Sequence, residues 1–147
     1  MQIETIDAIH GHAMFTTAAY EDAPKLYQAL REKLKGVTIE NPLVVFQCFD
    51  SPSQLSNPTH RVCVPHRPAF CSQAYRRRET TRNPGGKALT LIHKGAYNQV
   101  SAAYYALASE VKVQNLKVRA APFEIYLNDP AEVKEEEQLT KVCFPIE

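Results

Sequence analysis

Net charge is almost absent from this chain. Its 147 residues carry 17 Lys and Arg against 16 Asp and Glu, a formal charge of +1. Such a balance gives no overall electrostatic pull toward DNA, RNA or anionic lipid. Long apolar runs are missing too: nothing approaches the roughly 18 residues that a membrane span needs. The start, Met1 to Asp7, holds Glu4 and Asp7 and no extended apolar segment, so it does not read as a signal peptide. These absences lead us to expect a cytoplasmic protein. The cysteines Cys48, Cys63, Cys71 and Cys143 form no C-x-x-C pair, and three of them sit in apolar strand patterns. Buried free thiols in a reducing compartment are the simplest reading. Zinc needs clustered Cys or His ligands, but His10, His12, His60, His66 and His93 are scattered, so we expect no metal and no cofactor. Disorder is also excluded, since 44% hydrophobic and 22% charged residues are ordinary globular values.

What is present is a phrase said twice. Arg61-Val62-Cys63-Val64-Pro65 returns as Lys141-Val142-Cys143-Phe144-Pro145, displaced by 145 − 65 = 80. Ala19-Tyr20 returns as Ala96-Tyr97, at 97 − 20 = 77, and Asp50-Ser51-Pro52 as Asn128-Asp129-Pro130, at 130 − 52 = 78. Three landmarks in one order with so little drift point to two copies of one module. The repeat is too short for two independent cores, so residues 1–147 are expected to form one domain. Its divisions are repeat 1 at about 1–66, a polar connector at 67–86 and repeat 2 at about 87–147. The only basic concentration, Arg76 to Arg78 with Arg82, lies in that connector.

Each copy reads as strand, helix, strand, strand. In the first, 12–17 is a β-prone run, with 3–9 as a candidate pairing partner. Asp22 offers an N-cap, Pro24 fits the first helical turn, and Ala23, Leu26, Tyr27, Leu30 and Leu34 recur at helical spacing before Gly36. Strands follow over 43–49 and 60–64. In the second copy the strand at 88–93 bends at Lys94-Gly95-Ala96-Tyr97. Asn98 is an N-cap candidate, and Val100, Ala103, Tyr104, Leu107 and Val111 form the buried stripe. Strands at 123–127 and 140–144 close it, separated by an acidic loop at 132–137. The fold class is therefore α+β: duplicated strand–helix–strand–strand modules related by a pseudo-two-fold, with an antiparallel sheet and a groove between the halves. Residues 12–65 are expected to overlay on 88–145.

The copies differ most tellingly at Phe123-Glu124-Ile125-Tyr126-Leu127. Alternate side chains of a strand point to opposite faces. Phe123, Ile125 and Leu127 then make an apolar face suited to a helix, and Glu124 shares the other face with Tyr126. The matching strand, Leu43 to Phe49, has no acid: Glu124 corresponds to Phe46, or with a one-residue gap to Val45. A buried unpaired carboxylate costs several kcal/mol. Glu124 therefore either lies on an exposed face, pairs with a cation such as Lys141, or floors a groove that receives a ligand. Seven tyrosines and no tryptophan suit such a groove, because tyrosine joins an apolar ring to a polar tip. Aromatic faces also attract cations. Tyr20 and Tyr97, present in both copies, read first as packing anchors. Tyr104 and Tyr105 point in different directions on one helix, so one belongs to the core and the other to a groove rim. The candidate ligand-binding set is Glu124, Tyr126, Tyr97, Tyr20, Tyr104 and Phe46.

At these residues a resemblance becomes specific. His93-Lys94-Gly95-Ala96-Tyr97, together with Phe123-Glu124-Ile125-Tyr126-Leu127-Asn128-Asp129-Pro130 and the final Phe144-Pro145-Ile146, resembles the gyrase-inhibitor-like family. These are effector-binding domains found behind AraC-type and MerR-type DNA-binding domains in bacterial transcription regulators. The resemblance implies a ligand groove between two modules, with Glu124 matching the acid that meets cationic, lipophilic compounds. The family usually has an acid in its last strand where this chain has Lys141, a residue able to weaken cation binding or to neutralise Glu124. No residues remain for a helix-turn-helix, so a stand-alone member without direct DNA binding is expected. The leading function is capture or sensing of a small amphipathic compound, cationic or aromatic, in the service of detoxification or of a partner regulator. The alternative is a hydrolase of reactive cyclopropane-bearing compounds, with Glu124 as general base and Tyr97 or Tyr126 polarising the substrate. No nucleophile–base pair supports it. A gyrase partner rests on the family name alone.

Overall fold

A computed structural model of the chain describes residues 1–16, 28–29, 32, 43–48, 59–65, 80–83, 85–129 and 132–147. The alternating patterns of both halves become strands, and Thr80–Asn83 adds one more. Those of the first half are β1 (Gln2–Ile6), β2 (Ile9–Thr16), β3 (Leu43–Cys48), β4 (Thr59–Pro65) and β5 (Thr80–Asn83). The second half supplies β6 (Gly86–Lys94), β7 (Phe123–Tyr126) and β8 (Leu139–Pro145), with helix α1 (Ser101–Val113) between β6 and β7. Among the described residues they form one antiparallel sheet, in the order β1-β6-β8-β7-β3-β4-β2-β5. The fold is α+β. Gln28, Ala29 and Glu32 are helical; the rest of the first expected helix, with Asp22, Pro24, Gly36 and Tyr20, lies outside the described residues.

The expected pairing of 3–9 with 12–17 does not form. β1 pairs with β6, and β2 pairs with β5. Partner numbers sum to the same value on both sides of the break (Gln2 with Thr90, Ile9 with Asn83), so β1–β2 and β5–β6 are two bent strands in a single register. The segment 67–86 is correspondingly not all connector, since Thr80–Asn83 is a strand. The bend depends on Gly85. Its φ of +74° suits glycine, and a Cβ there would stand 2.8 Å from both the Ala8 nitrogen and the Ile6 oxygen. Arg119 donates a guanidinium hydrogen bond to the Gly85 carbonyl at the same point.

The sheet has two distinct faces. On one, α1 lays Val100, Ala103 and Leu107 against Leu89, Val142, Phe144 and Ile146, with Tyr104 and Val111 partly buried beside them. Helical spacing dictated this stripe. On the other face Ala88, Phe123, Ile125 and Cys143 pack with Ile6 and Ile9. Phe123 and Ile125 therefore do not meet the helix as the alternation suggested, and Leu127 is 40% exposed beyond the strand end.

Nor does Asn98 cap the helix. Tyr97–Gln99 form a 3₁₀ turn that runs into α1 at the N-cap Val100, whose N–H donates to Tyr97 O at 3.2 Å and whose carbonyl accepts from Ala103 at 2.9 Å. At the other end Asn115 adopts a left-handed φ of 52°. Leu116 N–H then reaches Val111 O at 2.9 Å, and Asn115 N–H reaches Lys112 O at 3.2 Å, closing the helix.

Because both backbone and space at the bend demand glycine, Gly85→Ala should lower unfolding free energy by about 1–3 kcal/mol or more, the scale of one strained residue. A denaturant midpoint unchanged from wild type would contradict this account of the bend.

Candidate functional site

β7 is flanked by β8 and β3 at the middle of the sheet, so Glu124 stands far from either edge, with Val142 and Val45 as register partners. The acid is fully buried, at 0% exposure. Alternation puts it on the face covered by α1, where Tyr104 meets it. That residue projects from the helix stripe and donates its hydroxyl to Glu124 Oε1 at 2.6 Å, the length of a charge-assisted bond. Phe144 braces the Tyr104 ring, with centroids 5.8 Å apart and planes inclined at 55°. Burial, and then the Glu124 charge, raise the Tyr104 pKa well above the ordinary phenol value, so the hydroxyl remains a donor at neutral pH. Its neighbour Tyr105 is 78% exposed and takes no part.

Tyr126, two residues along the same strand face, is 1% exposed and stacks on Tyr97, with ring centroids 4.4 Å apart and planes 13° from parallel. Tyr97 reaches that position through the bend after β6. Gly95 has φ +126° and donates its amide to Gln138 O at 2.9 Å, while His93 Nε2 lies 3.2 Å from Ala96 O. A Cβ at Gly95 would meet only ordinary contacts, so conformation rather than space calls for glycine there. The Tyr97 pKa is pushed upward by burial, then by the negative charges of Asp129 and Glu124. Both stacked rings are thus close to acidic groups, an environment that favours positive charge. The turn after β7 is held by Asn128, whose side chain donates to Glu137 O at 2.8 Å and accepts from Leu139 N at 3.0 Å.

The structure therefore brings together Glu124, Tyr126, Tyr97 and Tyr104. Tyr20 lies outside the described residues, and Phe46 occupies the register position opposite Phe123 rather than Glu124. Lys141, named as one candidate partner for Glu124, is on the other face, opposite Ile125. Its amine lies 3.1 and 3.2 Å from the two carboxylate oxygens of Glu4. A 2.6 Å hydrogen bond from Thr90 and the nearby Lys141 lower the Glu4 pKa, against the opposing effect of partial burial. In sequence Asn128 reads as a turn landmark, and Glu4, Thr140 and Gln138 do not read as site residues. Their partners lie far along the chain or belong to turn geometry, so local periodicity gives them no signal.

Two chemical possibilities narrow here. Cys143, a free buried thiol, has its pKa pushed up to about 12, chiefly by burial, so it is a poor source of thiolate. Among the described residues no group of His, Cys, Asp and Glu is arranged to hold a metal, and no helix is long and apolar enough to cross a membrane.

Known proteins share this architecture. The C-terminal domain of EcmrR superposes with a TM-score of 0.82 at 18% identity, covering 99% of this chain and 96% of that one. EcmrR in its DNA complex gives 0.78 at 20% identity, with 99% of this chain spanning 56% of the EcmrR chain. SAV2435, solved with bound tetraphenylphosphonium, gives 0.63 at 12% identity over 99% and 93% of the two chains. A hydrolase from Listeria innocua gives 0.63 at 12% identity over 99% and 91%. No curated protein matches significantly. The GyrI-like small molecule binding domain matches residues 1–147, from the first residue to the last. The chain belongs to that family of GyrI-like small-molecule-binding domains.

Proposed function

We propose that this domain binds a lipophilic cation, with Glu124 as the counter-charge and Tyr97, Tyr126 and Tyr104 as the aromatic walls. The observation that carries this reading is a fully buried carboxylate on the sheet face that also carries a stacked tyrosine pair. An acid placed there is held against its desolvation cost by the Tyr104 hydroxyl, and its field extends to Tyr97. Lys141 does not oppose a cation at this place, because Glu4 holds it on the other face. SAV2435, with the same fold, binds such a cation.

Duplication belongs to the same reading. Cys63 pairs with Val44 and Ala13, whereas Cys143 pairs with Phe123 and Thr90. Aligning the two cysteines makes Val45 the counterpart of Glu124, at 124 − 45 = 79, and these two residues face each other across the β3–β7 pair. The ligand acid is thus an addition to one module at the seam between the two. EcmrR contacts DNA as a chain of which this domain spans about half, and the role suggested here is the ligand-sensing part of such a regulator.

Two measurements test the reading. Glu124→Gln keeps volume and removes charge. Titration calorimetry should show tetraphenylphosphonium weakened by about 1–3 kcal/mol, the order of the coupling between close opposite charges, with little change for neutral tetraphenylmethane-like analogues. Equal losses for both would contradict a counter-charge role. Second, a cyclopropane-bearing aromatic electrophile incubated with the domain should be recovered intact by mass spectrometry. Water addition over many turnovers, slowed roughly 10²–10⁴-fold by Glu124→Gln, would establish the hydrolase instead.

A further inference from the structure

Among the described residues, three buried polar atoms beside this site have no hydrogen-bond partner: Tyr97 Oη, Thr140 Oγ1 and Gln138 Oε1. Their residues are 7%, 0% and 8% exposed, so bulk water does not satisfy them. An unmet buried polar group is costly and uncommon, and three in one neighbourhood call for a common cause. Their proximity follows from the fold. Thr140 is the register partner of Tyr126 on β8, and Tyr97 stacks on Tyr126. Gln138 precedes Thr140 by two residues on extended backbone, and its carbonyl accepts the Gly95 amide at the base of the Tyr97 bend. The same two loops also line a depression of about 400 Å³ formed by Lys94, Gly95, Ala96, Asn98, Gln99, Glu135 and Glu136.

We infer that Tyr97, Thr140 and Gln138 form a polar subsite at one end of the cation groove, built for a ligand group that both donates and accepts hydrogen bonds. This inference rests on the cation reading above and adds the second half of the ligand: an aromatic cation that carries a hydroxyl or a primary amide. The chemistry of the three atoms sets that choice. Each hydroxyl donates and accepts, and the Gln138 oxygen only accepts, so a purely hydrocarbon cation leaves all three unmet while a phenol or carboxamide answers them. Glu124 and the tyrosine rings select charge and aromatic surface; these three atoms select against cations that have nothing more.

A matched pair of probes reads this directly: tetraphenylphosphonium and (4-hydroxyphenyl)triphenylphosphonium, titrated into the wild-type domain and Thr140→Val. The hydroxylated cation should bind wild type about 3- to 10-fold more tightly, the equivalent of one neutral hydrogen bond, and Thr140→Val should abolish most of that preference. The unliganded Thr140→Val protein should melt at or above the wild-type temperature, because an unmet hydroxyl has been removed. Tyr97→Phe carries the same preference test through the second hydroxyl if Thr140→Val fails to fold. Equal binding of the two cations to wild type, or a preference that survives the substitution, overturns the polar subsite and leaves the cation reading standing. A clear drop in melting temperature for Thr140→Val also overturns it, since the hydroxyl would then be satisfied without ligand. Failure of both cations to bind overturns the subsite together with the cation reading on which it rests.

Discussion

The hydrogen bond from Tyr104 to Glu124 is the interaction on which the rest of the site depends. A carboxylate at the centre of a sheet, beneath a helix, would ordinarily be expelled or neutralised. Here a phenol from the covering helix meets it at 2.6 Å, and that phenol is itself held by Phe144. Burial and the neighbouring charge keep Tyr104 protonated, so donor and acceptor roles stay fixed. The bond also ties α1 to β7, which makes the acid part of the packing between helix and sheet as well as part of the site.

Two arrangements keep Lys141 away from Glu124. Strand alternation sends Lys141 to the opposite face, where Glu4, brought in on the edge strand β1, takes its amine. The β1–β2 and β5–β6 strands, bent together at Gly85, place β1 beside β6 instead of leaving it with its sequence neighbour. A long-range topological feature thus supplies the partner of Lys141: without β1 in that position, the amine would lack its carboxylate. The sheet carries the Lys141–Glu4 ion pair on one face and the Tyr104–Glu124 hydrogen bond on the other.

Much of this is legible in the residues, and the divisions are physical. Strand positions, the α1 stripe and the shared face of Glu124 and Tyr126 follow from periodicity of 2 and 3.6. Which face of β7 meets the helix does not follow. Alternation separates Phe123 and Ile125 from Glu124 and Tyr126, but it is silent on orientation, and the apolar pair packs with Ala88, Cys143, Ile6 and Ile9 instead. The Glu4–Lys141 pair joins opposite ends of the chain, and the β1–β6 pairing is equally remote, so neither has a local signature. Asn98 carries a capping side chain, yet it lies inside the 3₁₀ turn Tyr97–Gln99, and Val100 is the residue that begins the helix.

The central claim is that Glu124 is the counter-charge for a bound aromatic cation. Crystals grown with tetraphenylarsonium test it most directly, because anomalous scattering from arsenic locates the charged centre independently of the surrounding density. The account predicts a single strong peak within roughly 4–6 Å of the Glu124 carboxylate, the range over which opposite charges act strongly, and beside the Tyr97–Tyr126 stack. A peak elsewhere on the domain, with Glu124 and Tyr104 unapproached, would contradict it.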